Sequence, residues 1–218
     1  MKNMKSHNEI LRYMGHKGEP DEQLESLIRL SLEKLEAVCE PLHVTMQFPC
    51  TVSGNCVTID TMKIESKKLA AHLCNCTQTY ILAATLGAAV DRLISQRTKI
   101  DSAEALCLQA CAAEKIESYC DSIENELLSE INKHGLHLRP RFSPGYGDFN
   151  IAHQSDILRI LQAHKRIGVT ETKTNMLTPL KSVTAVLGVG TEAVSKTAKC
   201  AGCGKKDCPF FEKGSFND

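Results

Sequence analysis

Two short stretches hold most of the residues able to do chemistry. The first, RPRFSPGYGD at 139–148, crowds two arginines, two prolines, two glycines and a tyrosine into ten positions. Proline fixes φ and glycine permits φ > 0, so neither a helix nor a central strand runs through it, and a stiff irregular loop is expected. On such a loop Arg141 can bind a carboxylate through two parallel hydrogen bonds. The rigid backbone around Ser143 and Gly145 can offer fixed N–H and C=O groups, and Tyr146 adds a flat apolar face with a hydroxyl. This chemistry suits an amino-acid-like or nucleoside-like ligand; a well-made structural corner accounts for the same residues equally well.

The second stretch is KCAGCGKKDCPFF at 199–211, where Cys200, Cys203 and Cys208 form a C-x2-C-x4-C set. Two thiolates at C-x2-C spacing reach one metal ion, and the neighbouring lysines favour the thiolate form. Three cysteines are one short of a closed structural zinc site. Zinc or an iron–sulfur cluster therefore needs a fourth ligand from a distant Cys, a His or another molecule; a merely reactive thiol tail is the competing reading.

Other motifs carry less. GVGTEA at 188–193 nearly spells a dinucleotide fingerprint, but only 25 residues follow Ala193, too few for the helix, second strand and acidic residue that the fingerprint needs. A strand ending in a glycine turn, with Thr191 capping a short helix, is the expectation. Cys74 with Cys76, and Cys107 with Cys111, read as small buried hydrophobes. The eight histidines include no H-x3-H or H-E-x-x-H pair, and no nucleophile elbow or phosphate-cradling loop occurs.

The elements that must position these residues follow from periodicity. Pro20-Asp21 opens a helix in which Leu24, Leu27, Ile28, Leu32, Leu35 and Val38 recur at helical spacing, and Pro41 ends it. HVTMQF (43–48) and NCVTID (55–60) read as strands around the turn Ser53-Gly54-Asn55, SKKLAAHLC (66–74) as a short helix and QTYILAATLG (78–87) as a buried strand before the helix AAVDRLISQR. From Asp101 to Lys133 one apolar stripe, Ala112, Ile116, Cys120, Ile123, Leu127 and Ile131, predicts a single helix. Asp101 and Glu104 make a capping-box-like start and Gly135 a stop. At 1.5 Å per residue it is roughly 50 Å long, the spine of the domain. HQSDILRILQAHKRIG (153–168) predicts another helix, and VTETKT and KSVTAVLGVG (181–190) predict strands. Helices and strands mix without βαβ alternation, so the fold class is α+β, a mixed or antiparallel sheet with a long central helix.

Composition sets the boundaries. Twenty-six basic residues balance 26 acidic ones, which removes the broad positive footprint of a nucleic-acid binder. No apolar run approaches the roughly 20 residues that span a bilayer, and MKNMKSHNEILRYMG lacks an apolar signal-peptide core, so a cytoplasmic location is expected. Eleven cysteines, an odd number in a long chain, point to reduced thiols rather than disulfides. The expected organisation is an N-terminal helical extension (1–40), a core (41–198) and a cysteine-rich tail (199–218).

RFSPGYGD, the preceding ALCLQACAAEKIESYCDSIENEL, the earlier AATLGAAVDRLI and the later LTPLKSVTAVLGVG together resemble the activation domain of cobalamin-dependent methionine synthase, from about residue 40 to residue 190. The resemblance implies a domain that binds S-adenosylmethionine and docks over a cobalamin-binding partner, here as a stand-alone chain. It implies reductive methylation of oxidised cobalamin with one electron from a flavodoxin-like or other donor, in support of methionine biosynthesis. It does not imply homocysteine methylation by this chain alone. Carried over, Arg141 would hold the ligand's carboxylate, the Ser143 and Gly145 backbone its adenosine end, and Tyr146 would lie beside the sulfonium. The alternative is a corrinoid- or metal-associated binding protein on the same fold, using the C-x2-C-x4-C tail without S-adenosylmethionine.

Overall fold

The structure is a computed structural model that describes residues 4–192 of the 218. Its centre is the strand predicted around QTYILAATLG, β4 (Cys76–Thr85), lying between β1 (Leu42–Ser53) and β8 (Ser182–Gly190). The sheet continues through β2 (Cys56–Ile59) and β3 (Met62–Glu65) on one side and ends at β5 (His137–Leu138) on the other, in the order β3-β2-β1-β4-β8-β5. Every pairing in it is antiparallel. A separate two-stranded ribbon joins β6 (Thr170–Glu171) to β7 (Leu177–Thr178).

The apolar run in β4 has a physical cause: helices cover both faces of the sheet. Ile81, Ala83 and Val186 enter one core with α3 (Lys67–His72), α6 (Gln154–Leu161) and α7 (Ala163–Ile167). Leu82, Ala84, Ala185 and Leu187 enter a second core with α1 (Met4–Tyr13), α2 (Glu22–Val38), α4 (Ala88–Thr98) and α5 (Ser102–Asn132). Side chains alternate across a strand, so a strand covered on both sides loses the polar half of its pattern. Pro49 sits inside β1 at the point where pairing passes from β4 to β2. A missing N–H is tolerated there because the ladder changes partner.

The long helix runs from Ser102 to Asn132, about 46 Å at 1.5 Å per residue. Asp101 caps it by accepting from the Ala103 and Glu104 N–H groups, and Gly135 at φ 67° follows its end. The capping box closes only halfway. Glu104 turns away from Asp101 to pair with Lys34 of α2 at 2.5 Å and Arg97 of α4 at 3.6 Å, tying three helices together. The two N-terminal helices lie on α5, with Ile10, Ile28 and Leu35 fully inside the shared core.

Two expectations are corrected. The helix over 153–168 is two helices, because Gln162 takes a left-handed conformation (φ 51°) between them. Cys74 is exposed rather than buried, since it lies in the turn between α3 and β4, whereas Cys76, Cys107 and Cys111 are buried as expected. The glycines of GVG lie inside β8, and the short helix expected after Thr191 falls outside the described residues. Among the described residues no helix is long and apolar enough to cross a membrane.

Candidate functional site

The 139–148 loop is built on the free edge of the sheet. Arg139 N–H donates to the Gly188 carbonyl at 2.7 Å, and Phe142 exchanges two 2.9 Å hydrogen bonds with Val186. Three residues of the loop thus advance against two of β8, a bulge centred on Pro140 and Arg141. A bulge re-aims side chains. Here Phe142 falls into the core beneath α3 and α6, while Arg141 reaches the opposite side of the sheet, where α5 lies.

The chain then closes on itself. Tyr146 N–H donates to the Ser143 carbonyl at 3.1 Å, Gly145 N–H to the Phe149 carbonyl at 2.7 Å and Phe149 N–H to the Tyr146 carbonyl at 3.1 Å. Gly145 and Gly147 take φ of 88° and 63°, the conformations that make these turns possible. Phe142 and Phe149 root the loop in the core, and Tyr146 stands edge-on to Phe142 at 5.3 Å with 43% of its surface exposed. Asp148 fastens the far end: its carboxylate accepts from Ser66 Oγ at 2.5 Å and from the Lys67 and Lys68 N–H groups at 2.9 and 3.1 Å. These bonds, the Ser66 hydroxyl first, hold its pKa below the usual carboxylate range. His72 Nε2 meets the Pro140 carbonyl at 2.8 Å, and burial lowers the pKa of its ring.

Arg141, Ser143, Gly145 and Tyr146 therefore share one stiff loop. Gly145 and Tyr146 are exposed and Ser143 is half-buried, with its carbonyl and the Gly145 N–H used inside the loop. Arg141 is the surprise. Its side chain is only 9% exposed, and its guanidinium lies 3.0 Å from Glu117, 2.8 Å from Asp121 and 2.6 Å from Glu124. A ligand carboxylate reaches it only by exchange with one of these. Glu117 and Asp121 are 41% and 49% exposed, so swinging either into water costs little. Glu124, at 22%, is the more committed partner.

The three carboxylates are functional candidates that the loop-centred reading of the sequence missed. They occupy i, i+4 and i+7 on α5, so EKIESYCDSIENEL carries an acidic stripe at helical spacing. Nothing local ties that stripe to Arg141, 17 to 24 residues further on. Cys200, Cys203 and Cys208 lie outside the described residues, and within the described ones no group of three or more Cys, His, Asp or Glu is arranged to hold a metal ion.

No protein-family profile and no curated protein sequence matches this chain. Among solved structures it is similar to the crystal structure of the MetH reactivation domain bound to AdoHcy, at 16% identity and a TM-score of 0.61 over 79% of this chain and 67% of that one. Among the described residues, seven α-helices around an antiparallel sheet, with a long helix behind its central strands, share the fold of the methionine synthase activation domain.

Proposed function

We propose that this chain binds S-adenosylmethionine at the 141–146 loop and serves in trans as a reactivation component for a cobalamin-dependent methionine synthase lacking its own activation module. The observation that carries this reading is a stiff RFSPGYG loop held on a fold whose solved counterpart is a reactivation domain bound to AdoHcy. When bound, S-adenosylmethionine supplies the methyl group, and a flavodoxin-like or other donor supplies one electron, for cobalamin carried by the partner.

The chain's own task is positioning, which needs no general acid or base. Arg141 would take the ligand's carboxylate in exchange for Asp121 or Glu117, and the displaced carboxylate would lie close enough to meet the ligand's ammonium group. The 143–145 backbone would hold the adenosine end. Tyr146, exposed and braced by Phe142, would present its ring to the sulfonium. A cytoplasmic location and a role in methionine biosynthesis go with this reading, as does metal binding by Cys200, Cys203 and Cys208.

Calorimetry with S-adenosylmethionine tests the binding. Saturable binding to the wild type, lost in Arg141→Met and weakened in Tyr146→Ala, is the expected result. The partner is tested by adding the chain, a reductant and S-adenosylmethionine to an oxidised methionine synthase; a spectrum that stays that of cob(II)alamin while a full-length enzyme recovers rules out the trans role. The three-carboxylate grip on Arg141 favours one second reading, in which Arg141 is a structural clamp and the chain is a corrinoid- or metal-associated binding protein. That reading requires no heat of binding with S-adenosylmethionine and metal in the purified chain.

A further inference from the structure

Arg139 and the GVG stretch of β8 meet at a corner that the ligand loop does not use. The Arg139 side chain is buried, with the residue 6% exposed, yet among the described residues no carboxylate pairs with it and its Nε has no hydrogen-bond partner. One terminal nitrogen donates to the Cys74 carbonyl at 3.1 Å, and the guanidinium also donates to the Cys76 thiol. A buried cation without an anion is strongly unfavourable. The neighbour able to become that anion is the Cys76 sulfur.

The glycines keep that corner open. A Cβ at Gly188 would stand 2.7 Å from Cys76 Sγ and 3.0 Å from Arg139 Cγ, and one at Gly190 would stand 3.0 Å from the Asn75 carbonyl oxygen and 3.5 Å from Cys76 Sγ. Two glycines on one face of β8 thus admit the sulfur, the arginine stem and the turn beside them. That turn runs from Leu73 to Cys76, closed by the Cys76 N–H on the Leu73 carbonyl at 3.0 Å, with Asn75 at φ 61°. Extended backbone holds alternate Cα atoms about 6.6 Å apart. A turn draws them closer, inside the roughly 4.4–6.8 Å that a disulfide spans. Of its two thiols, Cys74 is exposed and Cys76 buried.

We infer that Cys74 and Cys76 form a thiol–disulfide exchange site for low-molecular-weight disulfides, with Cys74 as the entry thiol, Cys76 as the resolving thiol and Arg139 stabilising the Cys76 thiolate. The Cys74 thiolate attacks one sulfur of the substrate RSSR, whose S–S bond breaks and releases RS−. The Cys76 thiolate then attacks the Cys74 sulfur of the mixed disulfide, closing a Cys74–Cys76 disulfide and releasing the second RS−. The two protons lost by the cysteines pass through water to the leaving thiolates, so the pair is oxidised by two electrons and RSSR is reduced to two RSH. Burial raises the Cys76 pKa against the pull of Arg139, so the thiol is its resting form, shielded from direct attack. Arg139 acts in the second step, where the thiolate forms as its partner anion. Neither step requires S-adenosylmethionine.

The test is incubation of the full reduced chain with oxidised and reduced glutathione in stepped ratios, followed by acid quenching, alkylation and peptide mass spectrometry. A Cys74–Cys76 disulfide is expected, preceded by glutathione on Cys74. Cys76→Ser should halt at glutathionylated Cys74, and Cys74→Ser should slow the oxidation of Cys76 by at least about tenfold. Arg139→Met should slow ring closure by about tenfold and move its pH profile to higher pH, with glutathione addition at Cys74 unchanged. If the wild type stays reduced, stops at glutathionylated Cys74 at every ratio, or pairs either cysteine elsewhere, such as Cys76 with Cys50, the exchange site falls. Closure in Arg139→Met with the wild-type rate and pH profile removes Arg139 from the step. The wild-type and Cys76→Ser arms decide the exchange site even if Arg139→Met fails to fold.

Discussion

Replacing Arg141 by methionine keeps the apolar stem and removes the guanidinium, isolating what the charge does. Its partners are unequal. Glu117 and Asp121 are nearly half exposed and would rehydrate, so their contribution is that of surface pairs, about 0–1 kcal/mol. Glu124 is 22% exposed and 2.6 Å away, and breaking a fully buried pair costs about 3–5 kcal/mol. An intermediate loss of about 2 kcal/mol follows for Arg141→Met. For a chain of this size that corresponds to a Tm lower by about 4–8 °C. Urea denaturation of Arg141→Met, Glu124→Gln and the double variant should give a coupling of about 1 kcal/mol, against a few tenths for the Asp121→Asn cycle. A Tm change under about 1 °C, or stronger coupling to Asp121 than to Glu124, refutes the burial argument. The same variants bear on the ligand. If Asp121 is what S-adenosylmethionine displaces, Asp121→Asn leaves carboxylate recognition intact, whereas Arg141→Met abolishes it.

His72 is depressed by burial, so the fold favours its neutral ring; the stability this brings is present above the unfolded pKa of about 6.5 and is lost as pH falls through the lower folded value. A histidine titration by NMR should place the His72 midpoint below 6.5, and His72→Gln should flatten the pH dependence of stability there. Asp148 is also depressed, chiefly by the Ser66 hydroxyl, so its contribution is present above the unfolded carboxylate pKa and lost on acidification below it. Asp148→Asn should speed hydrogen exchange at the start of α3 at neutral pH, and unchanged exchange would refute the cap. Gly188→Ala forces a Cβ to 2.7 Å from Cys76 Sγ and Leu73 Cδ2, and should cost about 1–3 kcal/mol by chemical denaturation.

Local rules made much of this chain legible. The α5 boundaries follow from Asp101 and Gly135, each acting within one turn of the helix end. The apolar run of β4 announced a strand covered on both faces. The break at Gln162 had no such signal, because a non-glycine residue enters the left-handed region only when packing over-determines it. Glu104 looked like half of a capping box, and Lys34 and Arg97 outcompeted the backbone for it through contacts 70 and 7 residues away.

By itself the sequence determined that residues 139–148 form a stiff loop, since proline and glycine restrict backbone angles wherever they stand. Only the tertiary structure decided that Arg141 faces Glu117, Asp121 and Glu124 and that Arg139 is buried beside Cys74 and Cys76. Those outcomes depend on a one-residue bulge against β8 and on which helix lies across each face of the sheet. Charge partners are set by through-space distance, and distance between remote segments is a property of the packed fold.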